Sequence, residues 1–221
     1  MEEKLKYFKL AKSLNEKFHK QLLEMEAHFR GSINSYSLIS LNRNTPEKGK
    51  SGIKKIYNES DLLKFKPDIP GRETQEKILQ AWIILNAIQN NQILPFGDDL
   101  TFITSELALK LDDNKRIVND ILAIDKEGNL VVIELKSSRV NEVKKQANNF
   151  KKEIELQKDF FRELTFLMTN REWNGKVRCI IVWPKVESIA RKNPEEYKEV
   201  EEYQYSKKGE GFIIKNANSC K

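Results

Sequence analysis

"RIVNDILAIDKEGNLVVIELKSSR", residues 116–139, reads as two apolar strands joined by a tight turn, with Asp120, Glu134 and Lys136 inside the strands. Ionised side chains are rarely fully buried unless they are paired, so their placement calls for a chemical reason. In "DKEGN", Gly128 stands where a three-residue hairpin loop favours a left-handed residue. With residues 126–128 as the loop, Asp125 faces Asn129, and counting outward sets Asp120 opposite Glu134. Facing residues of an antiparallel pair share a face with Cβ atoms about 4.5–5.5 Å apart. Lys136, two residues beyond Glu134, lies on that face as well. The predicted register therefore gathers two carboxylates and an amine in one small volume.

Two carboxylates this close repel, and burial raises the pKa of at least one. A simple ion pair between Lys136 and one carboxylate accounts for two of the three charges and leaves the other carboxylate unpaired in an apolar sheet, which is costly. A divalent cation removes the difficulty. Oxygen donors with one or two carboxylates suit Mg²⁺, which keeps waters and binds substrate phosphate. Such an ion polarises phosphoryl oxygens and acidifies water. A lysine beside it orients that water or neutralises charge on the phosphate. Asp, Glu and Lys on one hairpin face are the groups that phosphodiester hydrolysis needs.

Around the hairpin, "ETQEKILQAWIILNAIQN" predicts a helix from about residue 72, apolar on almost every side from Ile78 to Ile88 and so covered on most faces. "LTFITSELALKL" predicts a strand before the hairpin, residues 140–168 a helix after it, and "VRCIIVW" (177–183) a short buried strand. A short helix is expected after Pro184, then edge strands in "EVEEYQY" and "EGFIIKN". From residue 72 the order is α-β-β-β-α-β, a mixed sheet with helices packed on it.

Residues 2–30 predict one long amphipathic helix, with Leu5, Phe8, Ala11, Leu14, Phe18, Leu22, Met25 and Phe29 at steps of three and four. It is expected to pack on the main domain or on a second subunit, giving a homodimer. "LNRNTPEKGKSGIKK" reads as a basic loop, and "DLLKFKPDIPG" as a linker. The expected division is a helical extension and linker over 1–70 and a main domain over 71–221. Net charge is +6, and residues 1–70 hold 14 Lys+Arg against 9 Asp+Glu, whereas residues 71–221 hold 25 against 24. The positive excess thus sits in the N-terminal third, where a solvated lysine-rich helix and phosphate contact are both open readings.

With 39% hydrophobic and 33% charged residues, the 221-residue chain suits a globular protein with a highly charged surface. No segment approaches the roughly 18 continuous apolar residues of a membrane span. The acidic start "MEEKLKYFKLAKSL" has no apolar signal core, and Cys179 and Cys220 offer neither a disulfide framework nor zinc-ligand spacing. A cytoplasmic protein with no membrane partner is the expectation.

Asp120, thirteen residues, then "ELK", all after an apolar helix, resembles the PD-(D/E)XK nuclease superfamily, with Asn119 at the nominal proline position. "ILAIDKEGNLVVIELK" is similar to the nuclease domain of mismatch-type endonucleases and to RecB-like nucleases, and "KVRCIIVWPKVESIARK" resembles the strand and helix that follow there. The resemblance covers roughly residues 72–195. It implies a restriction-endonuclease-like α/β core and a Mg²⁺-dependent DNA endonuclease of restriction, repair or defence, with Mn²⁺ as a substitute ion. It implies metal binding by Asp120, Glu134, the Leu135 carbonyl and a glutamate of the first core helix, Glu76 in preference to Glu73, with Lys136 positioning or activating the water. It also implies that Gln146 holds the lysine, a water or the scissile region. Arg139, Lys144 and Lys145, just past the motif strand, are candidate phosphate contacts. The alternative is a nuclease-like module that binds DNA or a partner without cutting.

Overall fold

The computed structural model describes residues 75–97, 99–110, 116–138, 142–185, 199–209 and 211–217, position 13, and strand segments at 25–31, 37–43 and 54–55. Nine strands are described: β1 (Met25–Gly31), β2 (Ser37–Arg43), β3 (Lys54–Lys55), β4 (Thr101–Lys110), β5 (Arg116–Ile124), β6 (Leu130–Leu135), β7 (Val177–Pro184), β8 (Val200–Lys208) and β9 (Gly211–Asn216). The helices are α1 (Gln75–Gln89), α2 (Glu142–Leu156) and α3 (Lys158–Thr169). The strands form one mixed sheet in the order β3-β1-β2-β4-β5-β6-β7-β8-β9. β6 pairs antiparallel with β5 and parallel with β7, and all six of its residues are buried. Its run LVVIEL is the near-continuous apolar pattern of a strand covered on both faces.

Tyr205 of β8 meets the Phe212 ring at 5.8 Å, and Phe212 meets Trp82 of α1 at 5.5 Å. Glu202, on the other face of β8 by strand alternation, meets Lys144 of α2. The helices α1 and α2 therefore cover opposite faces. Leu79, Ala81, Ile83, Ile84 and Ala87 of α1 are all buried, as the all-round apolar sequence predicts.

The hairpin forms in the expected register. The Asp125 N–H donates to the Asn129 carbonyl (3.0 Å) and the Gly128 N–H to the Asp125 carbonyl (3.1 Å). Gly128 has φ +85°, and a Cβ there would lie 3.1 Å from the Glu172 carbonyl oxygen. The Asp125 carboxylate accepts from the Asn129 N–H and side-chain amide and from Arg178, each at 2.8 Å. The β5–β6 ladder runs from Ile124↔Leu130 to Ile121↔Ile133 and stops. Beyond it β5 stays with β4, which pairs Leu107 with Asn119, and β6 stays with β7, which pairs Glu134 with Ile181 and Leu135 with Val182. The sheet forks at the point where Asp120 and Glu134 come to face each other.

Three expectations are corrected. Met25–Gly31 is a strand, not the end of a helix. Met25, Ala27 and Phe29 alternate with Glu26, His28 and Arg30, and that period of two prevailed over the sparser helical pattern. The rest of the expected N-terminal helix, position 13 apart, and a dimer formed through it lie outside the described residues. Residues 41–43 and 54–55, expected in a loop over 41–55, lie in strands β2 and β3, and β2 runs parallel to β4. In place of the single helix expected over 140–168 there are two, Glu142–Leu156 and Lys158–Thr169, broken at Gln157 with φ −112° and ψ 43°. The apolar stripe Val143, Ala147, Phe150, Ile154, Phe161 lacks a member at Gln157-Lys158, so no buried side chain holds the helix through that turn. The helix expected after Pro184 lies outside the described residues. Among the described residues no helix is long and apolar enough to cross a membrane.

Gly128→Ala is expected to cost about 1–2 kcal/mol or more in urea unfolding, through the left-handed backbone and the tight Glu172 contact. Gly175, at φ +91° with nothing within 4 Å of a built Cβ, carries only the backbone penalty, so Gly175→Ala should cost less.

Candidate active site

At the fork, side chains replace the missing ladder bonds. The Leu135 N–H donates to Asp120 Oδ2 (2.8 Å), and the Asn119 amide donates to the Ile133 carbonyl (3.1 Å). Buried backbone groups left without partners would each cost about 1–3 kcal/mol, so these two side chains make the fork tenable. The Asn119 amide also reaches Glu134 Oε1 at 3.3 Å. Glu134 is fully buried, and its Oε2 has no hydrogen-bond partner among the described residues.

Lys136 Nζ lies 3.9 Å from Asp120 Oδ2, 3.8 Å from Glu134 Oε2 and 3.9 Å from Glu76 Oε1 on the first turn of α1. All three distances exceed hydrogen-bond length, so the ammonium balances the carboxylates by charge without being locked to any of them. Burial first, and the Asp120 carboxylate second, push the Glu134 carboxyl well above the usual carboxylate range; Lys136 and the Asn119 amide offset part of this. Among the described residues no three His, Cys, Asp or Glu side chains already stand around one metal position. The lysine occupies the centre instead.

The structure thus brings together Asp120, Glu134, Lys136 and Glu76. Leu135, between Glu134 and Lys136 in sequence, is buried, with its N–H donated to Asp120. The Gln146 amide donates to the Val118 carbonyl at 3.3 Å and ties α2 to β5. Lys144 is corrected as a phosphate contact. It is buried, with Nζ 2.8 Å from Glu202 Oε1 and 5.6 Å from the centre of the Trp183 ring. Val143, Ala147, Phe150 and Ile154 turn one face of α2 onto the sheet, and Lys144 lies beside that face, not on the solvent side. Lys145, one residue on, is exposed. Arg139 lies outside the described residues.

Sequence reading missed Gln80, Glu106 and Tyr205. Gln80 is fully buried on α1, and its amide donates to the Asp120 carbonyl (2.8 Å) and to Glu106 Oε1 (2.9 Å). The Tyr205 hydroxyl is buried without a hydrogen-bond partner among the described residues; burial and the Glu76 charge raise its pKa. A lone amide in "ILQAWIIL" and a lone carboxylate in "ITSELAL" were the signals for the first two.

No protein-family model matches the chain, and no curated protein matches it. Among solved structures, it is similar to the EndoMS chain of an EndoMS–dsDNA complex, at 13% identity over 76% of this chain and 78% of that one, with a TM-score of 0.31. It is also similar to a repair endonuclease from Pyrococcus abyssi, at 15% identity over 80% and 86% of the two chains, with a TM-score of 0.28.

A carboxyl whose folded pKa is raised contributes stability below its unfolded pKa, and that contribution is lost as pH rises through the folded value. Because its folded pKa is raised, Glu134 opposes folding at neutral pH. In EDTA, Glu134→Gln should melt a few degrees above the parent at pH 7–8, a gain of about 1 kcal/mol or more. The difference should shrink toward pH 4, as followed by thermal unfolding across that range.

Proposed function

We propose that this protein is a Mg²⁺-dependent nuclease with a restriction-endonuclease-like core, cutting phosphodiester bonds in DNA. The observation that carries the reading is the convergence of Asp120, Glu134 and Glu76 on Lys136 at the sheet fork, each within 4 Å of its Nζ. The arrangement of these residue types agrees with the PD-(D/E)XK motif read from the sequence.

The donor set fits a hard divalent cation. Glu134 Oε2 is a buried carboxylate oxygen without a hydrogen-bond partner among the described residues, and Asp120 stands beside it. A cation there would relieve the repulsion that raises the Glu134 pKa. Asp120 and Glu134 would hold the ion, with Glu76 and the Leu135 carbonyl assisting; Mn²⁺ would substitute. The ion, when bound, supplies Lewis acidity toward a phosphoryl oxygen and toward water.

The protein's own groups do the rest. Asn119 holds Glu134 Oε1, which turns Oε2 toward Lys136. The Leu135 N–H fixes the Asp120 carboxylate. Lys136 is only partly exposed and not hydrogen-bonded to its carboxylates, so it is placed to orient an attacking water or to neutralise charge developing on the phosphate. Gln146, through Val118, holds α2 against the strand that carries Asp120. Lys145 and Arg139 remain the candidate phosphate contacts near the motif strand. Restriction, repair and defence are the roles that the motif suits.

The test is cleavage of supercoiled plasmid and of short single-stranded and branched DNAs in Mg²⁺, Mn²⁺ or EDTA. Cutting is expected with either metal and not in EDTA. Asp120→Ala and Lys136→Ala should each lower the rate by about 100-fold or more, as losses of groups that stabilise developing charge do. DNA bound but never cut, with binding indifferent to both variants, would point instead to a nuclease-like binding module.

A further inference from the structure

The strongest polar feature that this mechanism leaves unused is the buried amide of Gln80. It lies four residues after Glu76, on the same face of α1. Its Nε2 donates to two acceptors on two different strands, the Asp120 carbonyl on β5 at 2.8 Å and Glu106 Oε1 on β4 at 2.9 Å. Both partners are acceptors, which determines which end of the amide carries the nitrogen. An apolar side chain would fill this site without the cost of burying an amide.

Glu106 adds a second observation. β4 pairs Ser105 with Ile121 and Leu107 with Asn119, so Glu106 falls opposite Asp120. Its φ is +54°, a left-handed conformation inside a strand. For a residue other than glycine that conformation is uncommon and persists where the surroundings impose it. It sets a carboxylate within reach of the Gln80 amide, beside the strand that carries the motif aspartate.

We infer that Gln80, oriented by Glu106, is a positioning residue for the metal site: it ties α1 to the Asp120 backbone and so sets where Glu76 stands relative to Asp120 and Glu134. The inference rests on the metal-dependent reading above. One face of α1 then grips the fork at two points, Glu76 through Lys136 and Gln80 through the Asp120 carbonyl. Groups that orient metal ligands without touching the metal typically account for about 10–100-fold in affinity.

The test measures Mn²⁺ binding to the full chain without DNA, by the loss of the free-ion signal in electron paramagnetic resonance. The variants are Gln80→Met, which keeps the shape and removes the donor, Glu106→Leu, which removes the acceptor, and Glu106→Gln, which keeps an acceptor oxygen without the charge. Asp120→Ala serves as the metal-site control, and melting in EDTA checks folding. Gln80→Met and Glu106→Leu should each weaken Mn²⁺ binding about 10-fold or more, and Glu106→Gln should stay within a few-fold of the parent. A merely structural role would lower the melting temperature of the first two variants and leave their Mn²⁺ affinity unchanged, and that result overturns the inference. Should Gln80→Met fail to fold, the contrast between Glu106→Leu and Glu106→Gln decides the question. A parent that binds no Mn²⁺ overturns the metal reading and the positioning role with it. A parent that binds Mn²⁺ through Asp120 while all three other variants match it overturns the positioning role alone.

Discussion

The fork between β5 and β6 is the constraint on which the site depends. An antiparallel ladder that continued past Ile121↔Ile133 would consume its own backbone groups and press Asp120 against Glu134. The ladder ends there because each strand keeps its other neighbour, and because Asp120 and Asn119 supply the bonds that the ladder gives up. An unpaired buried amide or carbonyl is too costly to leave, so the fork requires polar side chains at these two positions. The residues that make the fork tenable, Asn119 and Asp120, are the ones that stand beside Glu134 and Lys136.

The electrostatics follow from the same geometry. Glu134 is drawn into a strand buried on both faces, where ionisation is penalised, and Asp120 adds repulsion. Lys136 at nearly 4 Å from three carboxylates moderates this charge without consuming it in tight hydrogen bonds. A fully bonded Lys136–Glu134 pair would be a structural ion pair and nothing more. Elsewhere the protein does build such pairs: Lys144 meets Glu202 at 2.8 Å, and Arg178 bridges Asp125 and Glu201, each at 2.8 Å. The contrast in length separates the close ion pairs that tie elements together from the looser charge cluster around Lys136.

Much of this was legible in the sequence, for local reasons. Gly128 marks the hairpin turn, the turn sets the register, and the register places Asp120, Glu134 and Lys136 on one face. Glu76 needed the motif as well as its place on a helix. What was not legible depended on long-range packing. The face of α2 that turns inward decides that Lys144 is buried while Lys145 is exposed, and adjacent lysines look alike in sequence. Gln146 was placed on the correct helix, but its partner, the Val118 carbonyl, depends on how α2 lies over β5. In β1, alternation over seven residues competed with a longer helical pattern, and pairing with β2 favours the strand. Gln80 stands out in an apolar helix, but its two acceptors come from strands 26 and 40 residues away.

The most direct measurement is a crystal structure of the protein grown with Mn²⁺, with data collected at the manganese absorption edge. The account predicts an anomalous peak at the fork, contacted by oxygens of Asp120 and Glu134. No peak there at saturating Mn²⁺, or a fork in which Lys136 closes into a short ion pair with Glu134, would contradict it.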